Sequence, residues 1–402
     1  MNAIVSTPVS TPEFTCERTV TVDGVMLGMR RYPRPGAQPV LVLHGLAQNL
    51  NGWDLPIPGH SFAHHLWAAG FDVWLGNFRG HGRDPHRSGD GAQAARIDDY
   101  GLLDVPAFLS RVRHKTGMAP LVVCHSMGGV ATLMYLQGAL YDSSGRVIHR
   151  PGLAQQRNSE VSGVVLVGVP PVLHWHARPG VASALAGRYY EYNTWFQGVF
   201  GRRLTRRILR HAPIDRVRAG WLAARGRWLA QKRGPVGRLT REVTHMMGQG
   251  AGMALRHVVW HPGNMSRALI EAETLHTLED ISVPVLEQFC DWIAHGTMRA
   301  HVADGRGPEG RDPHEYADYH HLVRTPALWV AGAQDRVVPP SIMRSHGLNL
   351  VGSADRGLLV LPGFGHNDLR IGLKAPEIVF PQVTRWLIDH TPPQYRAMRH
   401  PA

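Results

Sequence analysis

Ser126 stands where an apolar run changes into a helix, in Leu121-Val122-Val123-Cys124-His125-Ser126-Met127-Gly128-Gly129-Val130-Ala131. A buried strand that ends in small residues and reopens as a helix makes a tight turn, and a serine at its apex is held exposed as a nucleophile. The usual spacing is G-x-S-x-G; here Cys124 takes the place of the first glycine and Gly128 keeps the second. Serine is also a favoured helix N-cap, so the turn alone leaves nucleophile and cap about even. A base and an acid farther along the chain separate the two. Asp335 lies in Gly332-Ala333-Gln334-Asp335-Arg336, just past the apolar run that begins at Thr325, and His366 lies in Pro362-Gly363-Phe364-Gly365-His366, just past Gly357 to Leu361. Open α/β sheets gather their reacting groups at these strand ends. The chemistry this set could perform is two-step acyl transfer. His366 would take the Ser126 proton, and Asp335 would fix the imidazole tautomer and support its charged form. Asp368, two residues after His366, is a competing acid, and its expected role is to shape the histidine loop.

A developing oxyanion needs donors. The run Pro39 to Leu43 ends in His44-Gly45-Leu46, a turn of the kind that offers one backbone N–H while the residue after the nucleophile offers the other. The expected donors are the amides of Leu46 and Met127. His44 and Gly45 would support the turn, and Cys124, His125 and Gly128 would shape the one around Ser126.

The elements that must position these groups read as follows. A hairpin spans about residues 16 to 35, and strands begin near 38, 71, 119 and 162. Helices fall between them, at Ser61 to Ala69, Asp98 to Arg113 and after Ser126. Strands alternating with helices predict a mostly parallel sheet with helices on both faces. After Val161 to Pro170 no core strand recurs until Pro326, so 172–324 is expected to be a helical cap inserted over the site, with the core formed by 16–171 and 325–402. Residues 1–15, with Thr7-Pro8 and Thr11-Pro12, have no basic residue and no apolar stretch of the kind that opens a secretory signal, and are expected to be a disordered tail.

Composition bounds the rest. With 402 residues and 44% hydrophobic content the chain can bury a large core, and no apolar stretch is long enough to span a bilayer. The net charge of +12 is concentrated in 202–241, where thirteen Arg and Lys residues face Asp215 alone. Amphipathic basic helices of this kind can lie on an anionic membrane, but a lid with solvated arginines is the favoured reading, and no nucleic-acid module accompanies the charge. The cap holds Trp175, Trp195, Phe196, Phe200, Trp221, Trp228, Trp260 and Trp292 with Met246, Met247 and Met253, some of them core and the rest able to line an apolar acyl pocket. Its histidines show no metal-site spacing. Cys16, Cys124 and Cys290 have no framework spacing, which fits a reducing, cytoplasmic location. Neither a cofactor nor a metal is expected.

His44-Gly45-Leu46-Ala47-Gln48, Gly70 to Gly80, Tyr100 to Ala107 and Gly363-Phe364-Gly365-His366-Asn367-Asp368 together resemble the acid lipase branch of the α/β-hydrolases, and the order Ser, Asp, His is the order of the α/β-hydrolases at large. The last motif is also similar to that of polyhydroxyalkanoate synthases, which place a cysteine at the apex where this chain has Ser126. The resemblance covers about 38–171 and 325–390. It implies an α/β-hydrolase fold and a serine esterase or lipase acting on an apolar acyl ester. An acyltransferase or polyester-forming enzyme on the same scaffold and a non-catalytic lipid binder are the alternatives.

Overall fold

Successive side chains of a strand point to opposite faces, so a strand buried on both sides is apolar at every position. In the computed structural model, which describes residues 12–91, 95–173, 259–279, 282–301 and 314–396, runs of this kind become inner strands of one central sheet, and more polar or exposed runs form its edges. The strands are β1 (Thr15–Val20), β2 (Met26–Tyr32), β3 (Pro39–Leu43), β4 (Asp72–Gly76) and β5 (Leu121–His125), followed by the short pair β6 (Ala139–Tyr141) and β7 (Val147–His149), then β8 (Gly163–Val167), β9 (Ala327–Gly332) and β10 (Arg356–Leu361). Eight of them form the sheet in the order β1-β2-β4-β3-β5-β8-β9-β10. β1 and β2 are an antiparallel hairpin, β2 runs antiparallel to β4, and the remaining pairs are parallel. β1 begins at Thr15, so the last residue of the expected tail is already in the sheet. Residues 1–11 lie outside the described residues.

Leu41, Leu43, Trp74, Val122, Cys124, Val164 and Leu166 face one core, and Val40, Val42, Val73, Leu75, Val123, Val165 and Val167 face the other. Helices cover both faces. On the first lie α2 (Val105–Thr116) and α3 (Met127–Leu136); on the second lie α1 (Phe62–Ala68) and, near the C-terminus, the helix Phe380–Asp389. Ser61 caps α1 by accepting the His64 amide at 3.0 Å, and α2 stops at Gly117, whose φ of 71° is cheap only without a Cβ. The sequence reading treats 98–113 as one helix. The structure instead puts a wide π-turn at Tyr100–Asp104 ahead of α2.

α4 (Pro151–Ser159) precedes β8, and α5 (Arg267–His276) and α6 (Val283–His295) belong to the described part of the expected cap. α5 packs in a small cluster with Leu55 and Ile371, whereas α6 and the residues after it are not separate from the first core. Val285, Trp292, Met298, Tyr316 and Val323 join the same buried cluster as α2 and α3. The Asp98 carboxylate ties them there, accepting from Gln288 Nε2 and Tyr316 OH at 2.7 Å each and from the His301 amide at 2.8 Å. Trp292 is therefore core. Trp260 is half-buried, whereas the other aromatics and the methionines named for the cap, together with the basic stretch 202–241, lie outside the described residues. Among the described residues no helix is long and apolar enough to cross a membrane, and no group of three or more His, Cys, Asp or Glu could hold a metal ion.

The β6–β7 hairpin carries a pH-sensitive contact. The His149 ring stacks on Tyr319 at 3.7 Å and on His314 at 4.3 Å. Burial, then the facing His314 and Arg157, depresses His149 from 6.5 to about 3, and burial depresses His314 to about 4. Both folded values lie below the unfolded one. Unfolding therefore takes up protons, and the stability contributed by these rings is full above pH 6.5 and is lost as pH falls toward the folded values. His149→Phe keeps a stacked ring and removes one titration, so the Tm of the variant should gain on that of the wild type between pH 7 and pH 4 in a melting series. Parallel curves would refute the assignment.

Candidate active site

Ser126 follows β5 directly and opens α3 at φ 50° and ψ −120°. An L residue rarely adopts this conformation, and holding it costs about 1–3 kcal/mol. The surroundings impose it. The Ser126 amide donates to Val167 O at 3.0 Å, and its carbonyl accepts from the Gly129 amide at 2.9 Å. The glycines after it are required by space: a Cβ on Gly128 would lie 2.4 Å from the His44 carbonyl oxygen, and one on Gly129 would lie 2.1 Å from a Val169 methyl. Cys124, in the position usually given to glycine, points into the core. Its thiol donates to Val165 O at 3.4 Å, and burial pushes its pKa up to about 12, so it is held as an unreactive thiol.

Two loops from distant parts of the chain meet at Ser126. His366 Nε2 lies 3.0 Å from Ser126 Oγ, and His366 Nδ1 lies 2.9 Å from Asp335 Oδ2. Asp335 leaves the end of β9, and its other oxygen accepts from the amides of Val337 and Val338 at 2.8 Å each, which orients the carboxylate. Gly168, with φ 59°, ends β8 beneath the imidazole; a Cβ there would come within 3.2 Å of the His366 ring. His125 Nε2 is 3.3 Å from the His366 carbonyl oxygen. Its ring is buried, and burial, with His366 and Arg370 nearby, holds it neutral, so it donates here.

Asp368 does not contact the imidazole through any of its hydrogen bonds. Its carboxylate accepts from the Gly365 amide at 3.0 Å, the His261 amide at 3.1 Å and Asn264 Nδ2 at 2.9 Å. These bonds fold the loop that carries His366.

The third loop is the turn after β3. His44 Nδ1 donates to Gly45 O at 2.9 Å while its Nε2 accepts the Phe78 amide at 3.2 Å. Burial, and then His81, holds its pKa well below the ordinary value, so the ring is a neutral support. Gly45 passes so close that a Cβ on it would lie 3.3 Å from Ser126 Cβ and 2.7 Å from His125 Nδ1. Leu46 follows, half-buried, and Ala47 turns the chain at φ 55°. Met127 is the first residue of α3, and the leading amides of a helix have no acceptor within it.

Sequence reasoning missed the buried Glu273–Arg370 pair at 2.9 Å, which joins α5 to α7 (Asp368–Ile371), the helix after His366. The signal for Arg370 was there, a charge between Leu369 and Ile371. Glu273 stood in a segment without a motif.

Residues 38–211 match the family model described as the alpha/beta hydrolase fold. Over 123 residues the chain is 36% identical to gastric triacylglycerol lipase of Rattus norvegicus and 37% identical to that of Homo sapiens, covering 27% of this chain and 31% of each relative. Lysosomal acid lipase/cholesteryl ester hydrolase of Rattus norvegicus is 35% identical over 124 residues with the same coverage. The chain thus spans about a third of the length of these curated relatives. In structure, a soluble variant of monoglyceride lipase from Saccharomyces cerevisiae superposes with a TM-score of 0.52 at 19% identity, covering 96% of this chain and 97% of the other, which speaks to fold alone. The chain has the α/β-hydrolase fold and resembles the lipases.

Proposed function

We propose that the protein is a serine hydrolase that cleaves carboxylic esters with an apolar acyl part through an acyl-serine intermediate. The observation that carries the reading is the continuous run of contacts from Ser126 Oγ to His366 Nε2 at 3.0 Å and from His366 Nδ1 to Asp335 Oδ2 at 2.9 Å. In the first step Ser126 Oγ attacks the ester carbonyl carbon as its proton passes to His366 Nε2. Asp335, bonded at Nδ1, stabilises the imidazolium. The amides of Leu46 and Met127 receive the oxyanion, and the imidazolium returns the proton to the departing alkoxide. Water, deprotonated by the same nitrogen, then releases the acid and restores Ser126. The apolar acyl group follows from the stretch shared with proteins named triacylglycerol lipase.

The test is a series of p-nitrophenyl esters of increasing acyl length together with a fluorophosphonate probe. Turnover that rises beyond acetate, with stoichiometric labelling at Ser126, is expected. Absence of both would leave a lipid-binding protein. Faster acyl transfer to an added alcohol than to water would make the enzyme an acyltransferase.

A further inference from the structure

The turn after β3 and the loop of His366 are distant in sequence, and one short segment touches both. Residues 259–279, which carry α5, bond the turn four times: the Glu279 amide donates to Ala47 O at 2.9 Å, Asn49 and Asn51 donate to His276 O at 3.0 and 3.1 Å, and Asn49 Nδ2 also donates to Glu279 Oε1. The same segment bonds the histidine loop. The Asn367 amide donates to Val259 O at 2.8 Å, and Asn367 Nδ2 donates to Glu273 Oε1 at 3.2 Å. The ion pair sits between them. Arg370 Nη2 meets Glu273 Oε1 at 2.9 Å, both side chains are at most 1% exposed, and Arg370 Nη1 donates to the carbonyl of Gly52, in the same stretch as Asn49 and Asn51. A Cβ on Gly52 would come within 2.6 Å of that nitrogen.

A buried ion pair of this sort adds little to stability, since an apolar pair of the same volume is often as stable or more so. What a guanidinium adds is fixed geometry: a planar fork with several donors holds several acceptors at set angles. Here the acceptors belong to the oxyanion segment and to α5, while the fork grows from the helix directly behind His366. The distance most sensitive to their arrangement is the one from the oxyanion amides to the imidazole, where a misplacement of about 1 Å can cost about 100-fold in rate.

We propose that Glu273 and Arg370 are a positioning pair that sets this distance, making α5 a brace across both halves of the active site. The inference rests on the hydrolase reading above.

The test replaces both charges with side chains of similar volume, Glu273→Met with Arg370→Met, in the full chain. The expected result is a Tm equal to or above that of the wild type and a kcat for p-nitrophenyl butyrate lower by about 10- to 100-fold. KM should stay within about threefold, and Ser126 labelling by a fluorophosphonate should slow with kcat. A merely structural pair would move Tm and leave kcat, and a folded double variant with wild-type turnover overturns the proposal. Should the double variant fail to fold, Gly52→Ala decides, because it keeps both charges and displaces the guanidinium by one methyl group. A fall in kcat at unchanged KM supports the pair, and unchanged kcat overturns it. Wild-type protein with neither turnover nor labelling would overturn the hydrolase reading itself, and this inference with it.

Discussion

Ser126→Ala is expected to lower kcat on a short p-nitrophenyl ester by about 10⁶-fold, the loss typical when the nucleophile of a hydroxyl–imidazole–carboxylate set is removed. Among the described residues, Ser126 is the hydroxyl that bonds His366 Nε2. The His366 Nε2 that lies 3.0 Å from Ser126 Oγ would face a methyl group, and the nearby Cys124 is turned into the core with its thiol held protonated. The residue keeps its Cβ and its φ of 50°, so the melting temperature should hardly move. Initial rates with purified variant, with fluorophosphonate labelling as a parallel readout, check both parts. A variant that keeps even a hundredth of wild-type turnover would show that the chemistry lies elsewhere.

The second large effect is at Asp335. Asp335→Asn should lower kcat by about 10⁴-fold, by presenting the imidazole with a donor instead of an acceptor and so favouring the wrong tautomer. The backbone around it should survive. The amides of Val337 and Val338 bond Oδ1, an oxygen that asparagine can still supply, while the atom replaced faces His366 Nδ1. Asp368→Asn is the control that discriminates between the two acids. Its carboxylate serves Gly365, His261 and Asn264, so the loss should fall on Tm first and on kcat modestly. An inactive Asp368 variant beside an active Asp335 variant would exchange the two roles.

How much of this was legible in the chain differs from element to element. The strands β3, β5 and β8 were readable because a parallel strand buried on both faces is apolar throughout, and each appears as an uninterrupted run such as Leu121-Val122-Val123-Cys124. The resemblance to lipases rested on motifs at the ends of such runs and on Tyr100 to Ala107, and the comparisons bear it out. The β6–β7 pair escaped notice because three-residue strands carry no periodicity. The π-turn at Tyr100–Asp104 escaped for the opposite reason: it leaves the helical spacing of apolar residues almost intact. Nor could sequence pair Glu273 with Arg370. Two charges separated by nearly a hundred residues meet only through tertiary packing, and Glu273 in a string of letters looks like a surface residue.

The unusual backbone of Ser126 has a practical outcome for anyone engineering the protein. Every residue bearing a side-chain carbon must tolerate that torsion, and glycine alone escapes it, so glycine at 126 would offset its greater freedom in the denatured chain by relieving the kink. Selection by heat resistance alone would therefore drift toward chains without a hydroxyl at this position, and a thermostability screen must be run under a demand for turnover.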